Sequence, residues 1–423
     1  MDPRALLIQS FEAAIAAVDP LEILPGHLPA PPSGKTLVVG AGKAAASMAL
    51  AVEKHWPPEA PLEGLVITRY RHALPTRRIR VIEAGHPVPD ESGLGAAKEI
   101  LRRVAGLGRG DLLLALVSGG GSALLSLPVQ GIGMEALRAT TKALLGSGAP
   151  IQDINVVRKH LSAIQGGRLA AACGAPVLAL IVSDVTGDDP THIASGPCAP
   201  DPSTYRDALD VIERHGIAAD PAIRAHLERG VRGEIPETPK PGEELFERVQ
   251  TRVIGSAQQA LRAAESFFHA RKIGTLILGD SVTGEASEVA KVHGALVRQI
   301  ARHEEPARRP VALISGGECT VTVRGTGRGG RCTEFLLSLA IDLAGLPLAH
   351  AIACDTDGID GSEDNAGAVL LPDSLERAAR SGLDARRLLR NNDGYGFFSG
   401  LGDLVVTGPT RTNVNDYRAI LIT

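Results

Sequence analysis

Aromatic residues are nearly missing from this chain: they make up 3% of its 423 residues. Its core must therefore be built from Ala, Val, Leu and Ile. An excess of positive charge is missing too. The formal net charge is −4, which argues against a non-specific nucleic-acid binder, and local basic pairs such as Arg77-Arg78 read as solvated surface. Cysteine is sparse and odd in number. Cys173, Cys198, Cys319, Cys332 and Cys354 are scattered without metal-type spacing, which speaks against a disulfide scaffold or a cysteine metal site and fits a reducing cytoplasm. No apolar run is as long as a membrane span. The N-terminal stretch carries Asp2 and Glu12, has no compact apolar segment with a cleavage site, and reads as an amphipathic helix instead of a signal peptide.

What is present is a set of apolar runs that end in glycine. Residues 112–122 read LLLALVSGGGS and residues 311–318 read VALISGGE. Each is a buried-strand candidate that stops at Ser-Gly-Gly, where the missing Cβ lets the backbone turn sharply and its amides surround an anion. Two such turns point to two anion-handling loops. At this length two domains are the first expectation. Strand patterns at 35–39, 64–68, 112–117 and 176–182 alternate with helical ones at 44–55 and 90–105, as in a parallel sheet covered on both faces. The segment GVRGEIPETPKPGEE, 230–244, cannot continue a helix or a central strand and reads as a linker. Beyond it, 253–254, 275–278, 311–314 and 350–353 are strand candidates. TVTVR at 320–324 alternates as an antiparallel strand does. The expected division is an α/β domain over 1–235 with a mostly parallel sheet, and a second α/β domain over 236–423 with a mixed sheet.

In open α/β sheets, ligands bind beyond the carboxyl ends of the strands, and this chain concentrates Gly, Ser, Asp and Lys there. In the loop VVGAGKAAASMA, 38–49, Gly40 and Gly42 permit a tight turn, and Lys43 adds a full charge to a helix N-terminus. The loop lacks the Walker A spacer. It matches a loose dinucleotide fingerprint, Gly40-x-Gly42-x-x-Ala45, with Arg69 and Arg71 where an acid is expected, as would suit an NADP 2′-phosphate. Ser118-Gly119-Gly120-Gly121-Ser122 is entropically costly and reads as a cradle of amides for nucleotide or substrate oxygens. VSDVTGDDPTHIASGP, 182–197, clusters Asp184, Asp188 and Asp189, a set suited to Mg²⁺ shared with phosphates or to a base. Ser315-Gly316-Gly317-Glu318 leads on to a glycine-rich stretch with Arg328 and Arg331, whose planar forks suit phosphate or carboxylate. CDTDGIDGSEDNAGA, 354–368, fails the EF-hand spacing and reads as a second acidic wall carrying Asp355, Asp357 and Asp360. Ordinary turns and solvated acidic loops are the alternatives for each. His86 and His160 read as structurally positioned, not catalytic.

Taken in order, the blocks GAGKAA (40–45), AGHPVPD (84–90), VSGGGSALL (117–125), NVVRKHLSAIQGGRLA (155–170), SDVTGDDPTHIASGP (183–197), SGGE (315–318), GRGGR (327–331), DTDGIDGSEDNAGA (355–368) and TNVND (412–416) resemble the class II glycerate kinases. This is the glycerate 2-kinase or MOFRL-domain family, some of whose members carry the name hydroxypyruvate reductase. The resemblance implies a Rossmann-like, doubly wound N-terminal domain, a MOFRL-type C-terminal domain and an active site in the interdomain cleft. It also implies ATP- and Mg²⁺-dependent phosphorylation of D-glycerate to 2-phosphoglycerate. The family's lysine falls on Lys43 and its arginine on Arg331. Cys332-Thr333 depart from a usual Asn-Gln pair, Arg411 from a glycine and Cys319 from a threonine.

Direct transfer of a γ-phosphoryl group needs positioning and charge neutralisation. On this reading Gly40, Gly42, Ser118 to Ser122, Gly316 and Gly317 hold phosphates, with Arg328 as a further anion contact. Mg²⁺ sits near Asp184 and Asp189, with Glu318 as a metal or substrate ligand. Lys43 and Arg331 stabilise transferring charge, and Arg158 and Lys159 take the glycerate carboxylate. An acid from the Asp184 or Asp355 cluster accepts the hydroxyl proton, with the choice open. The expected partners are small molecules, D-glycerate and ATP, with neither nucleic acid nor membrane; a homodimer is left open. The rival readings are an NADPH-dependent hydroxypyruvate reductase and a non-catalytic nucleotide-binding regulator.

Overall fold

In the computed structural model, which describes residues 2–423, the strands of the first half are β1 (Thr36–Ala41), β2 (Leu62–Arg69), β3 (Ile79–Ala84), β4 (Leu112–Ser118), β5 (Val177–Val182) and β6 (Val249–Gly255). The continuous apolar runs among them, β1, β4 and β5, are buried along nearly their whole length, because helices cover both faces of their sheet. The strands lie in the order β3-β2-β1-β4-β5-β6, and each pair from β3 to β5 runs parallel. The chain fills one side of β1 and then returns to fill the other. The strand order therefore reverses between β1 and β4, where doubly wound sheets open a crevice beyond their carboxyl ends. The core beneath is Leu, Val, Ala and Ile, as the shortage of aromatics requires.

The second half forms β7 (Gly274–Gly279), β8 (Gly284–Glu285), β9 (Val311–Gly317), β10 (Cys319–Thr320), β11 (Ala349–Asp355), β12 (Gly367–Leu370), β13 (Leu404–Val405) and β14 (Asp416–Ile422). Six of them make a mixed sheet, β13-β12-β11-β14-β9-β7, and β8 pairs with β10 apart from it. Only β7 and β9 are parallel in the mixed sheet; the other neighbours are antiparallel. The antiparallel character does not come from TVTVR, of which only Thr320 is in a strand. It comes from β14, which inserts between β11 and β9.

The chain forms two units: Pro20–Ile254, and the segment up to Asp19 together with Gly255–Thr423. This differs from a division at residue 235 in two ways. The proline-rich stretch 230–244 is irregular as expected, but it folds back on the first unit. The Asp201 N–H donates to the Pro239 carbonyl at 2.8 Å, and the Glu237 carboxylate accepts the Tyr205 N–H at 2.9 Å. The strand at 253–254 then becomes the edge of the first sheet. The N-terminal helix, Pro3–Ala16, is capped by Asp2 and belongs to the second unit. There Phe11 stacks on Tyr417 at 5.8 Å and Ser10 receives the Tyr417 hydroxyl at 2.9 Å. Helical periodicity marks an apolar face but not which sheet it covers.

Candidate active site

The two loops at the reversal are tied together by backbone. The Lys43 N–H donates to the Gly119 carbonyl at 2.8 Å, and the Ala44 N–H donates to the Ser118 hydroxyl at 3.0 Å. Gly42 has φ +141°, and a Cβ there would run into Ser118. Gly120 has φ +79°, and a Cβ there would press on the His86 ring and lie 3.4 Å from Lys43 Cγ. Glycine is what lets the lysine and histidine side chains lie over this loop. Among the described residues, the N–H groups of Gly119, Gly120, Gly121 and Ser122 donate to no protein acceptor. Open amides in one turn, with a lysine stem across it, form a cradle for anionic oxygens.

The loop after β5 joins this cradle. The Ser195 hydroxyl lies 2.8 Å from that of Ser122 and donates to Asn155 Oδ1 at 3.1 Å. Ala194 and Ser195 hold φ values of +50° and +57°, a strained backbone that the surrounding contacts must hold in place. Asp184 is half-buried and Asp189 exposed. Asp189 Oδ1 accepts the Thr191 N–H at 2.9 Å.

Arg158 and Lys159 separate. They are neighbours on the helix Ile151–Leu161, so their side chains leave it about 100° apart. Lys159 donates to Asp201 at 2.7 Å, and both groups are buried. Arg158 instead lines a pocket with Ser122, Thr141, Ser162 and Gln165. It is half-buried, and burial alone pulls its guanidinium down to about 10. No acceptor among the described residues pairs with it. A desolvated cation without a counter-charge is an anion site in waiting.

The second Ser-Gly-Gly does not turn where expected. Gly316 and Gly317 remain in β9 opposite Tyr417 and Asp416, and their carbonyls accept from Arg418 at 3.3 and 3.4 Å. Arg418 is 1% exposed, and it also pairs with Asp416 at 2.5 Å. A buried guanidinium needs acceptors, and this segment supplies carbonyls to it in place of amides to an anion. Asp360, also counted in the acidic wall, caps the helix Arg331–Leu343: it accepts the Cys332 and Thr333 N–H groups at 3.0 and 2.9 Å.

Arg331 opens that helix inside three carboxylates. It binds Asp416 and Asp355 at 2.7 Å each and Glu318 at 3.0 Å. Burial works against its charge, but Asp416, Asp355 and Glu318 outweigh it and keep the guanidinium charged well beyond its ordinary range. Three of its five N–H donors are thus engaged, and two stay available. Glu318 is the most exposed of the three acids. Asp355 has both oxygens occupied, by Arg331 and by the Asp357 N–H at 3.0 Å. Arg328 is exposed, lies over the Tyr395 ring and pairs with Glu363 at 3.4 Å. Among the described residues, no group of three or more His, Cys, Asp or Glu side chains is placed to hold a metal ion. The site residues that sequence reading passed over are Ser195, Asn155, Asp416 and Glu334. The last carried a readable signal: it stands three residues after Arg331 on one helix, hence on the same face.

Residues 6–228 match a domain of unknown function, DUF4147, and residues 311–416 match the MOFRL family. The D-glycerate 2-kinase of Thermotoga maritima is 38% identical over 98% of this chain and 97% of its own length. A protein of Agrobacterium vitis provisionally named hydroxypyruvate reductase is 49% identical over 99% of this chain and 94% of its own length. The crystal structure of a glycerate kinase from Thermotoga maritima superposes with a TM-score of 0.88 at 37% identity, covering 99% of both chains. Among the described residues, no helix is long and apolar enough to cross a membrane.

Proposed function

The chain belongs to the MOFRL-domain family of glycerate 2-kinases, and from that premise we propose that it transfers the γ-phosphoryl group of ATP to the 2-hydroxyl of D-glycerate, releasing ADP. The observation that carries this reading is Arg158, an unpaired guanidinium in one pocket with Ser122 of the open-amide loop. A carboxylate supplies the missing counter-charge, and the loop amides and Lys43 take phosphoryl oxygens. Arg331 presents its two remaining N–H groups to the charge that builds on the transferring group.

Magnesium fits the donor set of the loop after β5. The ion favours one or two carboxylates with the rest of its shell from phosphate and water, and Asp184 and Asp189 are carboxylates of that kind, half-buried and exposed. When bound with the nucleotide it neutralises phosphate charge. The five cysteines, all free and buried, support a cytoplasmic setting. A second reading, reduction of hydroxypyruvate by NADPH, draws on the name of the Agrobacterium relative and on the Gly40-x-Gly42 turn in a sheet of Rossmann strand order.

One experiment separates the two. The protein is incubated with D-glycerate, ATP and Mg²⁺ and the phosphorus spectrum followed by NMR, beside hydroxypyruvate with NADPH followed by absorbance. The expected product is 2-phosphoglycerate, with no NADPH consumed. Consumption of NADPH without phosphoglycerate would establish the reductase instead. Arg158→Gln should raise KM for glycerate by about 10–100-fold, the loss of charge-assisted bonds worth about 1.5–3 kcal/mol, while KM for ATP holds. An unchanged glycerate KM would remove Arg158 from the substrate site.

A further inference from the structure

Glu334 lines the same cavity as Arg331. The cavity has a volume of about 230 Å³, and its other walls include the glycine-rich backbone at Gly327, Gly329 and Gly330 and the side chain of Asn392. The helix Arg331–Leu343 starts at the arginine, and the three-residue step brings the glutamate to the same face.

The environment of this carboxylate is unusual for a structural one. It is 5% exposed, yet no cation among the described residues pairs with it. The nearby arginine is committed to Asp416, Asp355 and Glu318. Its bonds are to the Asn392 amide, long at 3.4 and 3.5 Å. The other charged groups that act on it, Glu285 and Asp360, are both acids. Burial therefore pushes the carboxyl up, the Asn392 amide opposes this, and Glu285 and Asp360 add to it, leaving the group at about 7. A base is most effective when it titrates near the working pH. Asp355, one of the two acids considered for this task beside Asp184, has its oxygens filled.

We infer that Glu334 is the proton acceptor for the substrate hydroxyl. The inference rests on the kinase reading above. As the hydroxyl oxygen bonds to the γ-phosphorus, its proton passes to Glu334 Oε. The bond from the γ-phosphorus to the bridging oxygen breaks, and ADP leaves with the electron pair. Arg331 and Glu334 then divide the work of one face: the cation meets the phosphoryl oxygens and the carboxylate meets the proton.

The test is the pH dependence of kcat for the full-length enzyme with MgATP and D-glycerate, between pH 5.5 and 9, for the wild type, E334Q and E334D. Glutamine keeps the shape and the contact with Asn392 but cannot take a proton. The wild type should lose activity below an apparent pKa near 7. E334Q should lose kcat by on the order of 10²-fold, lose that acid limb, and bind ADP with unchanged affinity by calorimetry. E334D should keep the limb at reduced kcat. Near-normal turnover of E334Q with the limb intact would overturn the inference. So would a loss of activity in E334Q matched by a lost melting transition or lost ADP affinity, which would make the residue structural. Phosphoglycerate formation by the wild type is read in the same assay. If it is absent, the kinase reading fails and takes the inference with it; if it is present and E334Q behaves as wild type, only the inference fails.

Discussion

Lys43→Ala should lower kcat by about 10²–10³-fold, the usual loss when one major stabiliser of transition-state charge is removed, while the backbone ties of its loop stay in place. It is the Lys43 N–H, not its ammonium, that joins the loop after β1 to the Gly119 carbonyl. The Ala44 N–H makes the second tie, to Ser118. Cutting the side chain therefore spares the turn. What is lost is a full charge at the start of the helix Ala45–His55, where the helix dipole supplies only about half a charge. The stem lies beside Gly120, its Cγ 3.4 Å from where a Cβ would stand. Lys43→Arg should recover only part of the rate, since a planar guanidinium does not reproduce the compact point charge of an ammonium. Steady-state turnover with glycerate and ATP checks this. Near-normal kcat in Lys43→Ala would sink the assignment.

How much of this could be read from the sequence depends on how local each feature is. β1, β4 and β5 were readable because a strand buried on both faces is a continuous apolar run, and each run ends in the residues that turn it. The first Ser-Gly-Gly behaves as its letters suggest. The second has nearly the same letters and a different role, because Arg418, about a hundred residues later, takes the carbonyls of Gly316 and Gly317. β14 itself, Asp-Tyr-Arg-Ala-Ile-Leu-Ile, is fully buried but hides its pattern behind charged residues at its first and third positions. Asp360 shows the same limit from the other side. It looks like one more member of an acidic loop, and only the fold reveals that it caps a helix starting 29 positions earlier. Glu334 was within reach, since the three-residue spacing from Arg331 needs no tertiary knowledge once the helix is recognised.

Lys159→Met should destabilise the protein by about 3–5 kcal/mol at neutral pH, the cost of leaving one member of a buried ion pair without its partner. In the wild type, burial pushes the Asp201 carboxyl up, but the Lys159 charge, its hydrogen bond and the Ser203 hydroxyl outweigh this and hold it below its ordinary value. A carboxyl held low contributes stability above its unfolded value of 3.8, and that contribution is lost as the pH falls through the lower folded value. Removing Lys159 leaves burial as the leading influence and reverses the sign. The Asp201 carboxyl then sits above its unfolded value, so the variant binds a proton on folding and loses stability as the pH rises from about 4 toward neutrality. The deficit against wild type should therefore be smaller at pH 5 than at pH 8, and Lys159→Met with Asp201→Asn should recover most of it. Urea unfolding at the two pH values measures this directly. The same variant tells structure from recognition at two adjacent residues. If Lys159 held substrate, Lys159→Met would raise KM for glycerate and melt normally. The ion pair at 2.7 Å with both groups buried predicts the reverse, a lower melting transition with an unchanged glycerate KM in the folded fraction, opposite to the pattern expected for Arg158→Gln one position away.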